Sequence, residues 1–311
     1  MMAKETGGMF GIAKQTINNF LKDDCMAAAA ALSYYTIFSL PALLVLIMLL
    51  VGSLMDPNDV RGGIESQMEN LMGPNAGGEV RTIIEQAERP QGGLLPTILG
   101  ILGVIFGATG VMGQLQATLN KAWNVEPDPN QGGIKSFFLK RVFSFGMILV
   151  IAFLLMISLV ISTALSGLGA QIETLLPQGL SGPLLHVMNT GISLLVFALL
   201  FAALFKVIPD ARISWRSVWI GGVVTAVLFV LGKFLIGLYL GQSNPGEAYG
   251  AAGSLAVLLL WIYYSSLILL LGAEFTEVWA DRKGEGIEPE PGAIKVQRTK
   301  QRVEGSEPRP A

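Results

Sequence analysis

Histidine and cysteine each occur once in the 311 residues, at His186 and Cys25, and charged residues make up only 14% of the chain. A lone cysteine excludes a disulfide framework and a thiolate cluster within the chain. A lone histidine argues against a histidine-based metal site, so neither a metal nor a cofactor is expected. The net charge of −2 lacks the basic excess of a nucleic-acid binder, and no nucleic-acid partner is expected. No phosphate loop of the form Gly-x-x-x-x-Gly-Lys-Ser/Thr occurs, so ATP-driven chemistry has no carrier here. No nucleophile–base pair or ligand cluster stands out, so no catalytic residue is assigned and the chain reads as non-enzymatic. The first residues, with Lys4, Glu5 and a polar stretch to Lys22, lack the basic, apolar and small-residue order of a cleavable signal, and the first apolar span is expected to direct insertion itself.

What the chain has is apolar length. Hydrophobic residues make up 52% and the mean hydropathy is +0.57, which points to the bilayer as solvent. Crossing hydrocarbon takes about 20 apolar residues in a helix, because every backbone polar group must be satisfied within the segment. Six stretches meet this demand: Met26 to Met55, Leu94 to Leu119, Val142 to Leu168, Leu184 to Phe205, Ser217 to Leu240 and Gly250 to Trp279. The fold class is therefore all-α, a polytopic bundle of six transmembrane helices.

Lysine and arginine are retained on the cytoplasmic side. Residues 1–25, 121–141, 206–216 and 280 onward hold three, four, three and seven of them, whereas 56–93, 169–186 and 242–249 hold three, none and none. This alternation predicts both termini in the cytoplasm and, for a bacterial chain, an inner-membrane protein. Within residues 1–25, Phe10, Ala13, Ile17, Phe20 and Leu21 recur at helical spacing between Gly8 and Asp24, beside Lys14 and Lys22. This pattern predicts an amphipathic helix lying on the inner leaflet, or alternatively one packed on other loops. The transmembrane domain covers 26–281. Its exterior loop, 56–93, has seven acidic residues, and Gly62-Gly63, Gly73-Pro74 and Gly77-Gly78 separate short helical patterns at Ile64 to Leu71 and Glu79 to Ala87. The segment 282–311, rich in Pro, Glu, Lys and Arg, reads as a disordered cytoplasmic tail.

Several residues are unusual for such a bundle. Gly100, Gly103, Gly107 and Gly110 line one face of the second span, which suits close helix packing and also a smooth wall beside a substrate path. Gln114, Gln116 and Asn120 give that span a polar end that must face the bundle interior. Lys233 is the one basic residue well inside a span, ~6 Å from its midpoint at helical rise. It either binds an anionic group or takes part in proton coupling, or it snorkels and caps carbonyls; Ser158, Ser162, Asn189, Ser193 and Ser254 lie at matching depth. Glu274 lies ~15 Å from the midpoint of the sixth helix, followed by Glu277, too far from Lys233 to pair with it. Lys121, Lys206, Arg212 and Arg216 share its rim and are candidate partners, with Asp210 as a second acid. Pro41 predicts a kink in the first span. Tyr34 and Tyr35, with Tyr263 and Tyr264, suggest a polar cavity bounded by spans one, two, five and six.

Four segments, Ala28 to Pro41, Gly107 to Trp123, Phe205 to Arg212, and Tyr249 through Thr276, carry runs such as Ala-Leu-Ser-Tyr-Tyr-Thr-Ile-Phe-Ser-Leu-Pro and Gly-Ala-Glu-Phe-Thr. In this order they resemble the YihY/BrkB family of bacterial inner-membrane proteins, over roughly Ile12 to Asp281. The resemblance implies a six-helix membrane fold, a link in some members to serum resistance and virulence, and a description as a transporter or permease. An older ribonuclease label in that family finds no support in these residues, because clustered metal ligands or an acid–base pair near a basic groove are missing.

Polar groups inside an apolar bundle are costly and normally mark a solute or ion route. The leading expectation is a transporter or flippase-like permease for an anionic or lipid-like solute, in contact with the bilayer and compatible with a homo-oligomer. The alternative is a membrane scaffold without transport, linked to envelope integrity or virulence.

Overall fold

The described apolar runs fold as helices, since a helix closes its own backbone hydrogen bonds where no water can. The structure is a computed structural model and describes residues 8–52, 56–72, 75–88, 110–129, 146, 181–243 and 253–297. In chain order the elements are α1 (Met9–Lys22), α2 (Cys25–Gly52), α3 (Pro57–Met72), α4 (Asn75–Glu88), α5 (110–122), β1 (Val125–Pro127), α6 (Ser181–Val207), β2 (Ala211–Arg212), α7 (Trp215–Ser243), α8 (Gly253–Arg282), β3 (Glu288–Pro289) and β4 (Ala293–Lys295).

Among the described residues three helical stretches are long and apolar enough to cross a membrane: Thr190–Val207, Trp215–Gly237 and Leu255–Arg282. They fall on the expected fourth, fifth and sixth spans. The first span corresponds to α2, helical for 28 residues and continuing through Pro41. The second span before residue 110, and the third apart from Gly146, lie outside the described residues.

Chain reversals use residues suited to them. Asp24 takes a left-handed conformation (φ 53°) between α1 and α2, and Asn124 does the same (φ 56°) between α5 and β1; Asp and Asn tolerate this region better than other residues with a Cβ. The patterns expected around Ile64 and Glu79 are helices α3 and α4, which bury Val60, Val80 and Ile84 with Leu44 and Met48 of α2. Gly62-Gly63 and Gly77-Gly78 lie inside these helices rather than between them.

Glycine and threonine set how closely α7 and α8 approach. A Cβ on Gly221 would collide with Thr276 Oγ1, and one on Gly272 would collide with Thr225 Oγ1. Each threonine fills the notch left by the other helix's glycine. Each hydroxyl donates to the carbonyl four residues back, Thr225 to Gly221 O at 2.7 Å and Thr276 to Gly272 O at 2.6 Å. No polar atom of the pair is left bare in an apolar seam. Gly222 similarly lets α6 approach, since its Cβ would lie 2.8 Å from Ala198 O. A column of rings continues the core: Phe229 of α7 sits 4.7 Å from Phe197, 5.7 Å from Phe201 and 6.3 Å from Trp261.

The segment after α8 corrects the expectation of disorder from residue 282, at least through residue 297. β4 pairs antiparallel with β1, Val125 opposite Lys295, and β3 pairs antiparallel with β2, Ala211 opposite Pro289. Glu290 N–H donates to Asp210 O at 3.0 Å and Val296 N–H to Asn124 O at 2.9 Å. The composition is polar, yet the segment is held by backbone pairing and by the fully buried Ile287, neither of which depends on an apolar majority. The described parts of the four lysine- and arginine-rich segments, namely 8–25, 121–129, 206–216 and 280–297, thus gather at one end of the bundle, called here the α1 end.

Candidate functional site

At the α1 end, α8 turns two carboxylates one helical turn apart into the protein, both buried: Glu274 and Glu277. Glu277 is fully engaged. Its Oε2 accepts from Asn19 Nδ2 of α1 at 3.2 Å and its Oε1 from Asn124 Nδ2, just past α5, at 2.9 Å. Glu274 has no exposed surface. Its Oε1 accepts from the Cys25 thiol at 3.4 Å, while its Oε2 is buried with no hydrogen-bond partner among the described residues. Trp123, fully buried, donates from Nε1 to Ala273 O at 3.0 Å and so clamps the end of α5 against the same turn of α8. α1, α2 and the end of α5 therefore meet this turn of α8, and α2 alone reaches the Glu274 carboxyl, whose second oxygen has no partner among the described residues. A buried acid supported by a single thiol is expensive, and such an arrangement in a membrane helix is a functional candidate by default.

A second node lies beside it. Asp210, in the α6–α7 turn, accepts from Gln116 Nε2 at 3.0 Å and from Asn120 Nδ2 at 2.9 Å, and its own N–H donates to Asn120 Oδ1 at 2.8 Å. The polar end expected of the second span thus faces inward and is committed to holding this turn. Gln114 stays on its own helix, donating to Thr118 Oγ1 at 3.4 Å.

The cations expected to pair with Glu274 go elsewhere. Lys121 Nζ lies 3.9 Å from Asp24 Oδ2. Lys206 Nζ donates to Ile213 O at 2.6 Å and sits 5.3 Å over the Trp215 ring. Arg212 lies in β2 opposite Glu288, and both Arg212 and Arg216 are exposed. The reason is positional: these cations stand on helix ends and turns near solvent, whereas Glu274 points at the start of α2, where Cys25 is the nearest donor. Outside the α8 span, Glu285 meets the start of α7, where Ser214 Oγ accepts the Ser217 N–H at 3.2 Å. Glu285 accepts from Ser214 Oγ and, at 2.6 Å, from Ser217 Oγ. These bonds, that from Ser214 foremost, hold its carboxyl below the ordinary 4.5.

The other candidates are not drawn into this site. Lys233 is partly buried on α7 and makes no hydrogen bond or ion pair among the described residues. Of its expected partners, Ser158, Ser162 and the side chains of Asn189 and Ser254 lie outside those residues. Tyr34 and Tyr35 are exposed on α2, where Tyr34 packs on Phe38 at 4.8 Å, so the inward placement expected of them does not hold. Tyr263 and Tyr264 are partly buried, and the Tyr264 hydroxyl occupies the notch at Gly232. Gly110 faces Tyr35; Gly100, Gly103 and Gly107 lie outside the described residues. Among the described residues no group of three or more His, Cys, Asp or Glu could hold a metal ion.

Sequence reasoning missed Cys25, Asn19 and Asn124. Cys25 opens the first span at the depth where Glu274 nears the end of the sixth, a match that was available from span ends alone. Asn19 lies on the side of α1 opposite Phe10, Ile17 and Leu21, which a helical projection also gives.

Comparison with known proteins places this fold in a family. The model of the family described as Virulence factor BrkB matches residues 16–295. A UPF0761 membrane protein of Alkalilimnicola ehrlichii is 31% identical over 268 residues, covering 84% of this chain and 56% of that one. A UPF0761 membrane protein of Psychrobacter is 28% identical over 86% of this chain and 48% of its own length. A Bacillus subtilis protein, YfkH, whose name calls it only ribonuclease-like, is 26% identical over 87% of this chain and 95% of its own. The chain thus spans about half the length of some relatives and nearly all of another. No solved structure matches. The match over most of its length shows that this chain is a membrane protein of the BrkB family.

Proposed function

We propose that the chain is a permease-like inner-membrane protein of six spans, with both described ends in the cytoplasm and α1 along the cytoplasmic interface, that passes an anionic or lipid-like solute without enzymatic chemistry. The observation that carries this reading is Glu274, a carboxyl group without exposure, with one oxygen unpartnered among the described residues, on a helix otherwise apolar enough to span. Structural stability gives little reason to keep such a group, because burying an acid without full hydrogen bonding costs free energy. A route for an ion, a proton or a solute headgroup does give a reason. Glu277, held from α1 and from the end of α5, links the site to elements that would move if the end opened. Lys233, partly buried on α7, supplies an anion-attracting group farther along the path.

The test is reconstitution of the full chain in liposomes, with anion flux and scrambling of a labelled phospholipid measured against protein-free vesicles. Wild-type flux or scrambling that falls at least tenfold in Glu274→Ala, and falls in Lys233→Ala, is the expected result. Wild-type vesicles indistinguishable from empty ones would reject transport. A scaffold reading draws on the ordered α3–α4 pair packed on α2 and on the virulence-factor description of the family. It expects cellular phenotypes to survive both substitutions and to vanish on deletion of 56–93.

A further inference from the structure

The side that α1 turns toward the bundle and the side it turns away are both fixed by contacts. Ile12 clusters with Phe275 and Val278 of α8, and Ile220 and Val224 of α7 pack against that cluster. Thr16 is buried, and Asn19 reaches Glu277. With successive residues about 100° apart around a helix, Phe10, Ile17 and Leu21 fall on the diametrically opposite side. That side is apolar and bare: Phe10 is 83% exposed, Ile17 53% and Leu21 53%. A helix covering a bundle in water presents polar residues outward, and α1 does the reverse.

Depth decides what covers this face. Phe275 and Val278, against which Ile12 packs, lie within the apolar stretch Leu255–Arg282. The helix therefore lies against the flank of the spanning surface, where lipid is the neighbour, and not beyond its end. The polar flank carries the matching charge. Lys14 and Lys22 are exposed on α1. Arg282 beside them approaches Gly11 and donates to Gln15 Oε1 at 3.4 Å, and Lys283 lies 5.2 Å over the ring of Trp279. Aromatic and basic groups of this kind mark the headgroup level of a membrane.

We infer that α1 is a docking surface for anionic phospholipid, with Phe10, Ile17 and Leu21 among acyl chains and the Lys14, Lys22 and Arg282 rim at headgroup phosphates. It rests on α1 lying at the membrane interface and is independent of transport. Because Asn19 on the opposite side holds Glu277, lipid seated here bears on the candidate site through a single helix.

The full chain carrying Ile17→p-benzoylphenylalanine is reconstituted in phosphatidylcholine vesicles with and without phosphatidylglycerol, irradiated, and analysed for adducts by mass spectrometry. Lipid adducts are expected, with phosphatidylglycerol enriched about fivefold over its mole fraction, the factor corresponding to ~1 kcal/mol for one basic residue near the surface. Adding Lys14→Gln and Lys22→Gln is expected to lower the enrichment, Arg282 being still in place, while the adducts remain. Cross-links to a second copy in place of lipid, absence of adducts, or enrichment unchanged by the lysine substitutions would each overturn the inference. None of these readouts depends on flux, so failure of the permease reading leaves them intact.

Discussion

Replacing Asn120 with alanine removes two hydrogen bonds that reach the same residue from opposite directions. Asn120 Nδ2 donates to the Asp210 carboxylate and Asn120 Oδ1 accepts the Asp210 N–H. A bond to a charged group contributes about 1.5–3 kcal/mol and a neutral one about 0.5–1.5 kcal/mol. Asn120 is buried while Asp210 is partly exposed, so water replaces part of the loss and about 2–3 kcal/mol is expected. For a chain of 311 residues that corresponds to a fall in Tm of about 3–5 °C. The protein carries its own reporter, because Cys25 is the lone cysteine and is buried. Labelling by a fluorogenic maleimide during a thermal ramp in detergent therefore reads unfolding without engineering. Asn120→Asp, which sets a second carboxylate against the first, is expected to cost more than Asn120→Ala. A shift within about 1 °C for Asn120→Ala, or strict additivity with Asp210→Ala where contacting residues normally couple by at least ~0.5 kcal/mol, would refute the pairing.

Other consequences follow from packing and from the segment after α8. Gly272→Val places side-chain atoms where Thr225 now sits, and the overpacking is expected to cost at least ~1–3 kcal/mol, lowering the Cys25 melting temperature, with partial recovery when Thr225→Ala makes room. Glu285 titrates below its ordinary value because Ser214 and Ser217 donate to it. Its contribution is present above about pH 4.5 and is lost as pH falls through the lowered folded-state value. Hydrogen exchange over 285–296, corrected for intrinsic rates, should therefore accelerate on acidification in wild type more than in Glu285→Gln; identical pH profiles would refute it.

Much of the helical framework was legible because it depends on run length and charge sidedness. The stretches beginning near Leu184, Ser217 and Gly250 became α6, α7 and α8, and the basic segments gathered at one end because lysine and arginine resist burial wherever they fall in sequence. The site was legible only in part. Glu274 stands out as an acid in an apolar run, but its partner was sought among cations by charge, whereas depth along the spans pointed to Cys25. Asn120 is buried and Gln116 half-buried, and nothing local indicates that the acid they hold is Asp210, some ninety residues away. The pairing of β3 and β4 was invisible for a different reason. Two- and three-residue strands are held by backbone groups that every sequence has, and two isoleucines, Ile287 and Ile294, among prolines and glutamates give no periodicity. The inward placement expected of Tyr34 and Tyr35 failed because a hydroxyl on an aromatic ring suits an exposed position on a spanning helix as well as a cavity.

The central claim is that Glu274 is retained for movement of a solute or ion and not for holding the helices together. The most direct measurement pairs the Cys25 thermal ramp with flux in the same preparation of Glu274→Gln, which preserves shape and removes the acid. The account predicts an unchanged or raised melting temperature together with lost flux, because the substitution relieves a buried carboxyl whose one hydrogen-bond donor among the described residues is a thiol. A lowered melting temperature with residual flux that merely tracks the folded fraction would contradict it and make Glu274 a structural residue.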